Sequence, residues 1–221
     1  MTRGSPKGPI VVVNPNSNED VTQGMREALA GFALPGGPAI ECVTLTEGPF
    51  GVETQEDSDS VVMPLARMAK ERTDASGFVI ACYSDPGLEV CRSVASCPVF
   101  GIQESAVLTA MSRADLFGSI ALSPKSILRH RPYMRRMGVL GRLANIRPLN
   151  MSVAQSHAPE SFPRIVEVGE ALKADGAGAI LLGCAGMAGH RVALEAALGV
   201  PVIDPVQAAT GMALAQALVA G

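Results

Sequence analysis

Short apolar runs rich in β-branched residues alternate along the chain with longer stretches of helical spacing. Residues 9–13 (PIVVV), 40–45 (IECVTL), 77–81 (GFVIA) and 98–102 (PVFGI) read as strands. Helical spacing fills the gaps at 18–33, 55–74, 86–95 and 104–114. The first of these is closed by Gly36-Gly37, and the second places Val61, Leu65, Met68 and Ala69 on one side. The alternation then repeats. Strands are predicted at 117–122 (FGSIAL), near 145–150, at 178–183 (GAILLG) and at 200–203 (VPVI). Helices are predicted at about 125–137, at 160–174, after Gly189 and at 205–219. Strands that are apolar at every position are those buried on both faces, as in a parallel sheet covered by helices. The expected fold class is therefore α/β, with mostly parallel sheets flanked by helices.

The two halves also match in their punctuation. Asn14-Pro15 follows the first strand of one half, and Ser123-Pro124 follows the first strand of the other. Cys82 and Cys184 each end a later strand. Pro98-Val99 opens a strand 16 residues after Cys82, and Pro201-Val202 opens one 17 residues after Cys184. The expectation is two similar lobes facing each other across a pseudo-two-fold axis. The first lobe covers 1–112 and the second 113–204, with the closing helix 205–221 packing back on the first.

Ligands of parallel α/β sheets bind beyond the carboxyl ends of strands, where Cys82 and Cys184 lie. Tyr83-Ser84-Asp85-Pro86-Gly87 follows Cys82, with Asp85 read as a helix N-cap and Pro86 as the first helical residue. Ala185-Gly186-Met187-Ala188-Gly189 follows Cys184, small residues that let backbone approach a ligand. A helix N-terminus beside each thiol is expected to lower its pKa and to hold an anion. Two such thiols suit 1,1-proton transfer: one removes a proton from carbon on one face and the other delivers one to the opposite face. Cys42, Cys91 and Cys97 lie within or just after regular elements and read as small core hydrophobes.

Other polar residues divide between binding and local structure. Asn14 is read as a substrate contact, with Asn16 or Asn18 capping the helix that follows. Ser123 occupies the matching place in the second half. Glu53 and Gln55 fall on a loop that could reach the site. His190, six residues after Cys184, could tune that thiol. Arg129, Arg131, Arg135 and Arg136, with His130, read as a solvated face or a subunit contact. Met25, Met63, Met68, Met134 and Met137 read as core or interface filler.

Composition narrows the function classes. Hydrophobic residues make up 48% and charged residues 18%, so a large core can form and global disorder is excluded. A net charge of −3 without a Lys/Arg run argues against nucleic-acid or anionic-membrane partners. No apolar run reaches the roughly 18 residues of a membrane span. The polar start MTRGSPKGP lacks a signal-peptide core, so a cytoplasmic protein with reduced thiols is expected. The 5 cysteines include no CxxC pair, and His130, His157 and His190 are not spaced as metal ligands.

At the two cysteine turns the sequence resembles the aspartate/glutamate/hydantoin racemase superfamily, most of all its hydantoin and allantoin racemase branch. The pieces that carry the resemblance are NPNSN at 14–18, IACYSDPGL at 80–88, PVFGIQESA at 98–106, LLGCAGM at 181–187 and PVIDPVQAA at 201–209. The resemblance implies a site in the cleft between two lobes, with neither metal nor pyridoxal phosphate and one catalytic cysteine per lobe, Cys82 and Cys184. It implies a small-molecule substrate: a 5-substituted hydantoin, allantoin or an acidic amino acid. Tyr83, Ser84, Asp85, Ala185 and Gly186 would join Asn14 and Ser123 around it. A homo-oligomer is expected. Maleate-type isomerases and arylmalonate decarboxylases resemble the same fold, although the decarboxylases lack the first cysteine. A two-lobed binding protein without turnover is the non-enzymatic alternative. The segment EGPFGVETQEDSD at 47–59 and the pair Tyr83-Ser84 depart from the hydantoin racemase pattern, which bears on the substrate.

Overall fold

The computed structural model describes residues 8–219. The first half runs β1 (Ile10–Asn14), α1 (Glu19–Leu29), β2 (Ile40–Thr44), α2 (Gln55–Ser60), α3 (Val62–Glu71), β3 (Gly77–Ile80), α4 (Leu88–Val94), β4 (Val99–Gly101) and α5 (Ile102–Arg113). The second half runs β5 (Phe117–Ala121), α6 (Pro124–Arg136), β6 (Leu143–Pro148), α7 (Val153–His157), α8 (Phe162–Ala174), β7 (Ala179–Leu182), α9 (Arg191–Leu198), β8 (Val202–Ile203) and α10 (Pro205–Val219). Two four-stranded sheets result, ordered β2-β1-β3-β4 and β6-β5-β7-β8, with every described pair parallel. The same order in both halves is the repeat expected from the punctuation of the chain.

Side-chain alternation explains how each strand serves two packing layers. Val11, Val13, Phe78 and Ile80 face outward onto Leu65, Ala69, Leu88 and Cys91 of α3 and α4. Ile10, Val12 and Val79 face the other way, into a core that also holds Phe117, Ile120 and Leu181 of the second sheet. Helix α5 packs on β4 of the first sheet and on β7 and β8 of the second. Helix α10 returns to cover β1, β3, β4 and α5. The two sheets therefore share one continuous core, to which each fully buried Phe or Ile side chain contributes about 1.5–3 kcal/mol.

Several elements differ from the sequence expectation for local reasons. The helix expected over 55–74 breaks at Val61. Pro64 has no N–H and its ring excludes the carbonyl four residues back, so α2 ends at Ser60 and Pro64 falls in the first turn of α3. Thr54 and Asp57 form a reciprocal capping box at the start of α2. The helix expected at 86–95 begins only at Leu88, because Asp85 (φ 45°) and Gly87 (φ 67°) both adopt left-handed backbone. Pro86 is therefore not a first helical residue. The helix expected after Gly189 is preceded by a 3-10 helix, Ala185–His190, that starts directly at the Cys184 turn. Helix α7 has no counterpart in the apolar spacing. No helix among the described residues is long and apolar enough to cross a membrane.

Candidate active site

In each sheet the chain leaves the two central strands in opposite directions: β1 leads to β2 on one side, and β3 to β4 on the other. A crevice opens at such a switch point beyond the strand ends. Cys82 lies two residues past β3, and Cys184 two residues past β7. Both line one cavity of about 30 Å³, enough for a water molecule or two. Asn16, Val52, Tyr83, Ser84, Leu122 and Ala185 share its wall. Cys184 is 9% exposed, whereas Cys82 keeps a more open flank.

Both thiols are shifted opposite to the expectation from helix N-termini. Burial pushes Cys82 up to about 12, reinforced by the facing Cys184 and opposed by Arg129 and the Ser84 N–H. Burial pushes Cys184 up to about 11, opposed by the Gly186 N–H and the Ser156 hydroxyl. The physical reason is that no helix starts beside Cys82, and burial of the two sulfurs disfavours thiolate more than a few N–H groups favour it. The donors around each sulfur nevertheless point where negative charge would form. The Ser156 hydroxyl donates to Val153 O at 2.9 Å and lies within reach of Cys184, so turning its proton toward sulfur stabilises a thiolate there.

Asp85 does not face the cavity as a ligand, nor does it cap its own helix. Its carboxylate accepts from the Gln103 and Glu104 N–H groups, both at 2.8 Å, and so caps α5 from a distant turn. Burial pushes it up to about 7 against those two bonds and the Tyr133 hydroxyl. This cap ties the Cys82 turn to the helix lodged between the sheets. Tyr83, next to the thiol, lines the cavity with its ring, and its hydroxyl accepts from Ser119 Oγ of β5 at 3.3 Å.

Of the three asparagines, Asn18 is a helix cap as expected, whereas Asn14 is withdrawn from the cavity and Asn16 lines it. Asn14 is 0% exposed, and its Nδ2 donates to Asn16 Oδ1, Asn18 O and Thr22 Oγ1. It holds the loop from beneath, while Asn16 lines the cavity and Asn18 caps α1. Ser123 caps α6 and lines an outer pocket of about 480 Å³, whereas Ser126 borders both spaces. Glu53 lines the outer pocket, but the Gln55 side chain turns to Asp59. Among the other cysteines, Cys91 is buried in the core, while Cys42 and Cys97 pack half-buried against it.

The second thiol is placed by α7. His157 Nδ1 lies 2.9 Å from Gly186 O, so the tautomer protonated at Nδ1 donates to the Cys184 turn. His190 Nε2 lies 3.1 Å from Ser156 O and 3.3 Å from Ser161 Oγ, which anchors α7 rather than touching sulfur. The capping box Ser152-x-x-Gln155 is the sequence signal for this short helix.

Helix α6 supplies two residues that the sequence places on a solvated face. Arg131, Arg135 and Arg136 are exposed, but Arg129 and His130 line the cavity. The signal is spacing: Ser126, His130, Tyr133 and Met134 form the buried stripe beside which Arg129 falls. His130 is 2% exposed and packs edge-on to Tyr83 at 4.9 Å. Burial, aided by Arg129, lowers it to about 3. The unfolded chain takes up this proton near the ordinary value of about 6.5, so acid favours unfolding through the window between. Relative to His130→Phe, the wild type should lose about 2 kcal/mol of stability from pH 7.5 to 5. Urea melts at both pH values measure this, and a pH-independent difference would show that His130 takes up its proton in the fold as readily as in the unfolded chain.

Known proteins share this architecture. A family model described as Asp/Glu/Hydantoin racemase matches residues 10–213. The hydantoin racemase of Pseudomonas sp. (strain NS671) is 36% identical over 217 residues, 95% of this chain and 85% of that protein. The hydantoin racemase of Paenarthrobacter aurescens is 33% identical over 212 residues, 92% of this chain and 89% of that one. The solved allantoin racemase from Klebsiella pneumoniae superposes with a TM-score of 0.91 at 30% identity, covering 97% of this chain and 89% of that one. The chain belongs to the Asp/Glu/hydantoin racemase family. Its hydantoin and allantoin racemase relatives support racemase activity.

Proposed function

We propose that this protein racemises 5-substituted hydantoins, allantoin among them, by proton transfer between Cys82 and Cys184 without a cofactor. The observation that carries the reading is that two thiols, one from the central strands of each sheet, line a single cavity. In one direction the Cys82 thiolate takes the proton from C5, and the electron pair delocalises onto the adjacent ring carbonyl as an enolate. The Cys184 thiol then gives its proton to the opposite face of C5 and becomes thiolate. The reverse direction exchanges the roles, so each turnover leaves the pair with one proton, as it began. The Ser84 and Gly186 N–H groups support thiolate at the two sulfurs, and Asn16 on the cavity wall is a donor for the enolate oxygen. Relatives named as hydantoin and allantoin racemases support the substrate class.

Incubation of one enantiomer in D₂O tests the reading. Loss of the C5–H proton signal should run in step with loss of circular dichroism. Racemisation without solvent exchange, or exchange paced by a covalent thiol adduct, would exclude this mechanism.

A further inference from the structure

Arg129 is the one charged side chain on the cavity wall among the described residues, since the buried His130 is neutral. Two of its N–H donors are committed to protein. Nε reaches Ser84 Oγ at 3.4 Å, and Nη1 donates to the backbone oxygen of Glu53 at 2.6 Å. The guanidinium has five such donors, and no ion pair among the described residues includes it. Asp57, whose charge it feels, holds its own oxygen on the Glu53 and Thr54 N–H groups. A half-buried cation without a carboxylate partner retains much of its capacity to bind an anion.

Its position matters as much as its charge. The inner cavity of about 30 Å³ and the outer pocket of about 480 Å³ share Leu122 and Ser126. Arg129 lines the inner space, Glu53 lines the outer one, and the Arg129–Glu53 bond spans the partition. The Glu53 carboxylate completes the closure by accepting from Val153 N–H at 3.2 Å. On the outer pocket Lys125 carries charge of the same sign and Glu53 the opposite, so Arg129 is the cation that decides at the inner cavity.

We propose that Arg129 is a specificity-determining residue: an anionic oxygen on the substrate displaces the Glu53 carbonyl from its guanidinium, and that exchange opens the path from the outer pocket to the thiols. Among 5-substituted hydantoins, those with a carboxylate-bearing substituent are accordingly preferred over neutral ones such as allantoin. The exchange is favourable because a charge-assisted, two-pronged Arg–carboxylate pair is stronger than one bond to a neutral carbonyl. The substrate assignment rests on the racemase reading, whereas the recognition of an anion at this cavity does not.

Thiol alkylation tests the recognition directly. Iodoacetate and iodoacetamide are similar in size and differ in charge. With each, a thiolate forms an S–C bond, the C–I bond breaks, and iodide leaves. Both reagents consume thiolate, so altered thiol acidity moves both rates together and leaves their ratio unchanged. Mass spectrometry of the full chain would follow Cys82 and Cys184, with the half-buried Cys97 as internal reference. Arg129→Gln should lower the iodoacetate-to-iodoacetamide ratio at the cavity thiols about tenfold, the scale of one charge-assisted hydrogen bond, and leave the ratio at Cys97 unchanged. An unchanged ratio at both cavity thiols overturns the proposal. A second measurement needs no variant: malonate should slow iodoacetamide labelling of Cys82 and Cys184 where malonamide does not, and equal protection by the two also overturns it. Hydantoin racemisation with an unchanged ratio would sink this inference and leave the racemase reading standing. A changed ratio without hydantoin turnover would do the reverse.

Discussion

Cys184→Ala should give a protein that exchanges the C5 proton of one hydantoin enantiomer and inverts neither. Cys82 remains able to remove a proton from its own face and to return a solvent-derived one there. The enantiomer whose hydrogen points the other way finds no base. Cys82→Ala should show the mirror behaviour with the opposite enantiomer. Racemisation should fall by about 10²–10⁴-fold in each variant, the range of a positioned acid or base. Each enantiomer is incubated separately in D₂O, with NMR reading exchange and circular dichroism reading inversion. A single-cysteine variant that still racemises near the wild-type rate would rule out paired thiol transfer. So would one that exchanges both enantiomers equally. The pairing explains why the loss is stereochemical as well as kinetic: the two sulfurs descend from different sheets onto one cavity.

Gly183→Ala should be among the most damaging substitutions available to this fold. A Cβ at Gly183 would lie 2.0 Å from the carbonyl oxygen of Ile120. That oxygen belongs to β5, whose backbone is fixed by pairing with β7 up to Leu182, one residue earlier. Neither strand can yield without breaking the ladder, so a cost of about 3 kcal/mol is expected from overpacking. For a chain of this size that lowers the melting temperature by about 10 °C. Activity should fall further, because Cys184 is the next residue and moves with the strand end. Gly189→Ala is the control, since a methyl group added there would meet nothing within 4 Å. Melting curves decide the matter: equal temperatures for the two variants would mean that the Gly183 contact is relieved at no cost.

The fold is legible in the sequence because its determinants are local and repeated. Strands buried on both faces print as unbroken apolar runs such as IVVVN in β1 and AILL in β7. The thiol turns are legible because they end matching strands of two halves. What escapes is decided at long range or by a single residue. Asp85 looks like a local N-cap, yet its partners Gln103 and Glu104 are 18 and 19 residues away. Asn14 and Asn16 are chemically identical, and only the loop geometry says which one faces the cavity. Arg129 lies among other arginines, and its role follows from where α6 packs. Pro64 does carry a readable signal, a helix break four residues before it, that apolar spacing alone overrides. Thiol acidity runs opposite to what turn chemistry suggests, because the desolvation of a sulfur buried between two sheets has no signature in the turn itself.

The continuous core beneath the two sheets has a consequence in time. Parting the lobes would expose Val12, Val79, Phe117 and Ile120 together with the faces of α5 and α10 that bridge them. At about 1.5–3 kcal/mol for each large side chain, such an excursion is rare. The exchange proposed at Arg129 instead breaks a few hydrogen bonds of one side chain and of the loop carrying Glu53. Loop and side-chain motions run on nanosecond to microsecond scales, whereas domain hinging takes microseconds to milliseconds. The exchange proposed at Arg129 would therefore run on the faster clock, without parting the sheets.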